Sequence, residues 1–374
     1  MPAPSSSTLA ITTVRTLALA VSAQYRVALD HGVVLQDHTV PKSMQDAMSL
    51  LGRLALEEGR EDRFASVHDV LHACTVPLRE WDLDAFKGNF TYANLQLVDP
   101  DLLVPTEECG ALMVEGGRSH DDVIERQLYA RLQDALKNTG RQRDRTYRVV
   151  REFLARHSLT TRAGLRGHFD GEGVDDAVTD LVLGHLFIPV PEAWTLRGQP
   201  HRCVHCGTLT RPHPDRDRFP GGRCPLQACR EGEDFQAQAE PFGGTGAIVA
   251  ANTVLRYWVN PAIDELRIFD AAVEAGVPAE LYPHSDKCDV SLGGNTGVDV
   301  KNYRDAHALA RKMSADPGGL KEYRVPVLAV PDARAAQPGY LSALKRGLKR
   351  GPGARLRVMT VREVKRDIRE LAHA

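Results

Sequence analysis

A chain of 374 residues is long enough for two or three domains, each with its own core. With 43% hydrophobic and 26% charged residues it has the composition of a soluble globular protein. A formal net charge of −2 excludes binding to nucleic acid by bulk basicity alone, though it permits a local basic face.

No window holds the ~18 consecutive apolar residues of a membrane span. Met1 to Ala23 is Ser-rich and then apolar, but it lacks a basic leader and is interrupted by Arg15. It reads as a loose start running into a helix, not as a signal peptide. Residues 1–157 are expected to form a mainly helical domain. Val14, Leu17, Ala18 and Val21 recur at helical spacing, as do Met44, Met48, Leu51 and Leu54. Residues 60–118 carry aromatics (Trp81, Phe86, Phe90, Tyr92) and Pro-containing turns without a readable period. Val123 to His157 reads as one or two helices bearing Lys137, Arg141, Arg143, Arg145, Arg148 and Arg151. Such a basic run is first of all a solvated helix face, with a nucleic-acid contact as the sharper alternative. Residues 158–198 follow as helix, turn, helix and a short strand, Phe187 to Val190. That layout suits a winged-helix-like unit or simply two packed helices.

Residues 199–235 carry Cys203-x2-Cys206 and Cys224-x4-Cys229, framed by Gly207, Gly221 and Gly222. Two thiolate pairs on knuckle-like turns can converge on one tetrahedral zinc. Four soft ligands leave no open position, so the expectation is a structural zinc ribbon whose metal supplies much of its folding free energy. His201, His205 and His213 lie close enough in sequence to replace one cysteine. Arg202, Arg211, Arg216 and Arg218 could meet phosphates. Cys74, Cys109 and Cys288 lack partners at metal spacing and read as small apolar residues. Cysteines used in this way suit a reducing cytoplasm.

After a Gly-rich hinge (243–246), residues 247–374 are expected to form one α/β domain with a central mixed sheet. The predicted elements are a helix at Ala247 to Tyr257, then a second helix in which Asn260 caps and Pro261 sits at the first position. A strand carrying Asp289, a Gly-Gly-Asn-Thr-Gly turn and a strand carrying Asp299 and Lys301 come next. The expected remainder is a helix (305–313), a strand (323–330), a helix (340–348), a strand (356–361) and a closing helix (361–373). Residues 299 and 301 are two apart and share a strand face. Without a fold around them, Asp299 and Lys301 would be a surface ion pair of little worth. Basic residues Lys345, Arg346, Lys349, Arg350, Arg355, Arg357, Arg362, Lys365 and Arg366 surround Gly351-Pro352-Gly353 and read as either a solvated face or a phosphate grip.

The helix, the strand with Asp289 and the strand with Asp299-Val300-Lys301, followed by a helix, resemble the restriction-endonuclease-like PD-(D/E)xK nucleases. The fold class implied is a multidomain α+β and α/β protein. It has a helical N-terminal region, a zinc-ribbon insertion and a restriction-endonuclease-like C-terminal domain. Within that superfamily, a zinc cluster followed by the nuclease resembles the REase associated with prokaryotic PIWI-RE proteins, which occurs in three-gene defence islands with a helicase. The resemblance implies Mg2+ or Mn2+ held by Asp289, Asp299 and the Val300 carbonyl, with Lys301 acting on the attacking water. Glu265 would ligate a second metal or order a water. DNA is the implied substrate, PIWI-RE protein and helicase the implied partners, and a homodimer the implied state. No Pro directly precedes Asp289, which leaves Asp286 open as the first acidic residue. The competing reading is an inactive zinc-ribbon scaffold that binds nucleic acid or a partner protein; a transcriptional regulator would rest on residues 158–190 alone.

Overall fold

The computed structural model describes residues 6–31, 40–119, 123–232, 235–349 and 351–372. Arg350 and His373 from the basic run and the closing helix lie outside them. The chain divides into two compact units, one of residues 1–127 with 303–309, the other of residues 128–302 with 310–374.

In the first unit, α1 (Ser6–His31) and α2 (Lys42–Glu57) pair along the stripes expected from their period. Val14, Leu17, Met44 and Leu51 are fully buried there. Two shorter helices, α3 (Val67–Ala73) and α4 (Glu107–Glu115), start at the side-chain caps Ser66 and Thr106. Between them the chain has little periodic structure because other forces hold it. Phe64, Trp81, Phe86, Phe90 and Tyr92 form a continuous run of ring contacts with centroids 5.3–5.8 Å apart. The Glu58 carboxylate accepts the N–H groups of Asp84 and Ala85, each at 2.7 Å. Segment 303–309 belongs to this unit as well. There the Asp305 N–H donates to the buried Glu108 carboxylate at 2.6 Å.

The second unit takes up α5 (Ile124–Ala135) from Leu128 onward, then α6 (Arg143–Arg156). Next come β1 (Leu159–Thr161), α7 (Arg162–Glu172), α8 (Asp176–Leu181) and β2 (Phe187–Pro189). Thr161 caps α7, left-handed Gly173 ends it, and Asp175 caps α8. Residues 247–250, expected to be helical, instead form a strand. The strand is numbered after β3 (His201–Cys203), α9 (Gln227–Arg230) and β4 (Ala239–Pro241), and as β5 (Ala247–Ala250) it lies between β1 and β2 in an antiparallel sheet. A short apolar run cannot announce its own period, and here the two strand partners decide it.

Helix α10 (Asn252–Val254) then passes through a π-turn at Leu255–Val259 into α11 (Asn260–Glu274). Asn260 is therefore not the helix cap expected. The backbone is already helical before it, and its buried side chain accepts the Ala228 N–H at 2.9 Å.

Beyond α11 the sheet runs β10–β9–β8–β7–β6. Its strands are β6 (Ala279–Leu281), β7 (Val290–Leu292), β8 (Thr296–Val300), β9 (Val325–Val330) and β10 (Arg357–Thr360). β6, β7 and β8 are antiparallel neighbours, whereas β8, β9 and β10 are parallel, so the sheet is mixed as expected. Strand β6 was not anticipated; three residues are too few to show an alternation. The β7–β8 hairpin turns through Gly293 and Gly294 at φ +57° and +71°, a conformation that glycine adopts without strain. Gly297 is also a close approach, because a Cβ there would run into the Tyr323 ring. Helix α11 packs on β6, β7 and β8. Of the remaining helices, α12 (Ala306–Ala315), α13 (Tyr340–Gly347) and α14 (Val361–Ala372), the last packs on α11 as well as on β9 and β10.

Candidate active site

The four residues singled out for chemistry meet where α11 crosses β7 and β8. The register Val290↔Val298 places Asp289 one step further along, beside Asp299, and the Asp289 N–H donates to the Val298 carbonyl at 3.0 Å. Glu265 and Asp289 are buried, at 2% and 7% exposure, while Lys301 and Asp299 keep some contact with solvent. Each carboxylate is held by a different donor. Tyr282 Oη donates to Glu265 Oε2 at 2.7 Å, the Val300 N–H to Asp289 Oδ2 at 2.5 Å, and Lys301 Nζ to Asp299 Oδ1 at 2.8 Å. Among the described residues, only the four cysteines form a group with ligand atoms already at metal spacing.

Electrostatically the cluster is overloaded with negative charge. Burial pushes the Glu265 carboxyl up to about 7, against the pull of Arg151 and the Tyr282 hydrogen bond. Burial, with Glu265 and Asp299 nearby, also raises Asp289 well above the ordinary carboxyl range. A divalent cation is the natural relief for such a set. Hard oxygen donors with Lys301 beside them suit Mg2+. The donor chemistry fits such an ion, which Asp289, Asp299 and the Val300 carbonyl would hold.

Asp286 takes a different position. It accepts a hydrogen bond from Tyr147 Oη at 2.8 Å and lies 3.8 Å from the Arg151 guanidinium. Arg151 itself corrects the expectation of a wholly solvated basic helix. It is 4% exposed, with its guanidinium 4.6 Å from the Tyr282 ring centroid and 4.8 Å from that of Trp258. Burial disfavours its charge, but Tyr147, Asp286, Tyr282 and Glu265 around it more than compensate and keep the guanidinium protonated. The signal was present in the sequence. Tyr147, Val150 and Leu154 are fully buried at positions i, i+3 and i+7 of α6, and Arg151 is their i+4 neighbour.

The cysteine module lies between β2 and β5. Cys203 ends β3, Cys206 follows in a turn closed by Gly207, Cys224 follows the Arg211↔Arg223 bridge, and Cys229 is on α9. The Sγ separations of Cys203–Cys229 and Cys206–Cys224 are 3.8 and 3.6 Å. A tetrahedron with bonds of about 2.3 Å has edges of about 3.8 Å, so the cluster is compatible with zinc. The three histidines weighed as alternative ligands have other partners: His201 with Gln199, His205 with Gln236, His213 with Asp215. Cys74, Cys109 and Cys288 are buried thiols, and burial pushes Cys109 and Cys288 up to about 12. They are inert packing, as expected.

Comparison with known families adds two matches. Residues 262–374, which hold all four site residues, match the family described as REase associating with pPIWI_RE. The chain resembles that REase, as its sequence suggested. Residues 13–161 match the pPIWI_RE three-gene island domain Y, which no motif in the helical N-terminal region signals. No curated protein matches the chain. No solved structure does either. The REase match starts within α11, after the β5 strand and the cysteine module.

Proposed function

We propose that this chain is a Mg2+-dependent endonuclease of the PD-(D/E)xK type. It would hydrolyse DNA phosphodiester bonds in a prokaryotic defence island beside a pPIWI_RE protein and a helicase, in the cytoplasm. The observation that carries this reading is the convergence of Glu265, Asp289, Asp299 and Lys301 on a helix and two neighbouring strands of a mixed sheet, inside the region that matches the REase. In support of Asp289 as first acidic ligand, it lies beside Asp299 on the hairpin, whereas Asp286 is engaged by Tyr147 and Arg151.

Bound Mg2+ would supply Lewis acidity toward the phosphoryl oxygens and acidify a coordinated water. The chain's own residues do the rest. Lys301, whose Nζ donates to Asp299 at 2.8 Å, is the ammonium of the site. It orients the attacking water and offsets charge on the phosphate. Glu265, held by Tyr282 Oη at 2.7 Å, would ligate a second metal or order a water beside these ligands. The exposed cations Lys345, Arg346, Lys349, Arg355 and Arg369 of the same unit would meet phosphates through contacts that weaken with salt, whereas Arg357, Arg362 and Arg366 pair with Asp367, Asp332 and Glu370.

The domain division consistent with this reading is a helical region (1–157), a winged-helix-like unit (158–198) and a zinc ribbon (199–235) ahead of the nuclease. Strand β5 then completes the winged-helix-like sheet with the zinc ribbon inserted before it. DNA recognition through α8 is disfavoured, because its exposed side carries Asp175, Asp176 and Asp180, which repel phosphates.

The test is incubation of zinc-loaded protein with single- and double-stranded DNA and RNA, with and without Mg2+. Cleavage of DNA that needs Mg2+ and is lost in Lys301→Ala supports the nuclease. Binding without cleavage in every combination supports the inactive scaffold instead.

A further inference from the structure

We propose that Arg151, which lies in the segment matching domain Y, is a positioning residue for the candidate nuclease site in the segment matching the REase. The inference rests on the nuclease reading above and deepens it. Both ends of the interaction belong to the second compact unit.

Geometry carries the inference. Arg151 sits on the buried face of α6, and its Nε and Nη1 make no hydrogen bond to any described residue. A guanidinium denied those bonds is costly to bury, and a stability function alone would be met better by an apolar side chain. Its surroundings are Tyr282 and Trp258, whose ring faces it covers, and Asp286 at 3.8 Å. Tyr282 is in turn the donor to Glu265 Oε2 at 2.7 Å. The path from Arg151 to the site is therefore two contacts long, guanidinium to ring and hydroxyl to carboxylate.

The backbone that presents Tyr282 also needs holding. Tyr282, His284, Ser285 and Asp286 all adopt positive φ between 50° and 82°, a conformation that costs non-glycine residues energy. Helices α5 and α6 restrain it at three points: Tyr129 Oη on the Ser285 carbonyl, Tyr147 Oη on Asp286 Oδ2, and Asp144 Oδ1 accepting from Ser285 Oγ. Arg151 supplies the cation at the centre of this clamp. Removing it frees the Tyr282 ring, and with it the orientation of Glu265.

The test compares Arg151→Met, Arg151→Lys, Tyr282→Phe and the Arg151→Met/Tyr282→Phe double variant, with Leu154→Ala as a control on the same buried helix face. For Arg151→Met, kcat for Mg2+-dependent DNA cleavage should fall roughly 10- to 100-fold, the range typical of groups that orient metal-site ligands. KM for DNA should stay unchanged, since a side chain this buried cannot touch the substrate. Arg151→Lys should recover part of the loss, and the double variant should be no worse than the poorer single one. Leu154→Ala should lower the melting midpoint and leave kcat of the folded protein alone. The proposal is overturned if Arg151→Met keeps wild-type kcat, or if its loss only tracks the fraction unfolded. Should the wild type cleave nothing, the nuclease reading fails by itself. A crystal structure of Arg151→Met then decides the positioning claim. A Tyr282 hydroxyl still bonded to Glu265 overturns it, and a displaced one supports it.

Discussion

At the scale of single residues, three carboxylates in one small volume are each restrained by a separate donor. Glu265 shows the cost. Its folded-state value of about 7 lies above that of an unfolded glutamate, so the folded chain holds a proton that the unfolded chain has released. Stability from this group is therefore intact below about pH 4.5, falls as pH rises toward 7, and stays reduced above it. In magnesium-free buffer, Glu265→Gln should be more stable than wild type at pH 8, by at most about 3 kcal/mol, and should lose that advantage at pH 4.5. Urea denaturation midpoints at the two pH values check this. Magnesium should raise the midpoints of wild type and Glu265→Gln alike at pH 8, because Asp289 and Asp299 remain in both. What the sequence showed here was uneven. Asp299 and Lys301 were legible because a two-residue step on a strand fixes a shared face. Arg151 sits among exposed basic residues, and only its helical phase with Tyr147, Val150 and Leu154 marks it as buried. Tyr282 offered no signal, since nothing in a sequence announces a left-handed turn of non-glycine residues.

At the scale of elements, the hairpin and the later helices could be read from alternation, turn glycines and period. The three-residue strand β6 and the apolar stretch at β5 could not, because partners and not local pattern define them. The cysteine module is tied to the site helix through Asn260, which accepts the Ala228 N–H beside Cys229 at 2.9 Å. Loss of zinc should therefore reach α11. The purified protein should carry one zinc per chain by elemental analysis, and Cys206→Ala should lower the thermal midpoint and raise amide exchange in α11 as well as in the module. Asn260→Ala leaves a buried N–H unpaired and should cost roughly 1–3 kcal/mol without removing zinc. Unchanged exchange in α11 after zinc loss would separate the module from the site.

At the scale of the whole molecule, the chain joins a segment matching domain Y to one matching the REase, and its compact units do not follow that division. Helix α6, in the domain Y match, belongs to the same unit as the five-stranded sheet. Segment 303–309, in the REase match, belongs to the unit of residues 1–127. Its Asp305 N–H would lose Glu108 if residues 1–127 were removed. A fragment beginning at Leu128 should consequently be less soluble and melt lower than the full chain, and co-expression with residues 1–127 should restore both.

The proposed Mg2+-dependent nuclease centre stands on Asp299 and Lys301. Its most direct test is the rate of DNA cleavage by zinc-loaded wild type, Asp299→Ala and Lys301→Ala across a magnesium titration, with circular dichroism to establish that all three are folded. Wild type should cut only when Mg2+ is present, and each variant should be slower by about a hundredfold or more, the minimum expected for loss of a group acting on the attacking water or its metal. Cleavage by Lys301→Ala at the wild-type rate, or no cleavage of DNA by folded, zinc-loaded wild type at any magnesium concentration, would contradict the account.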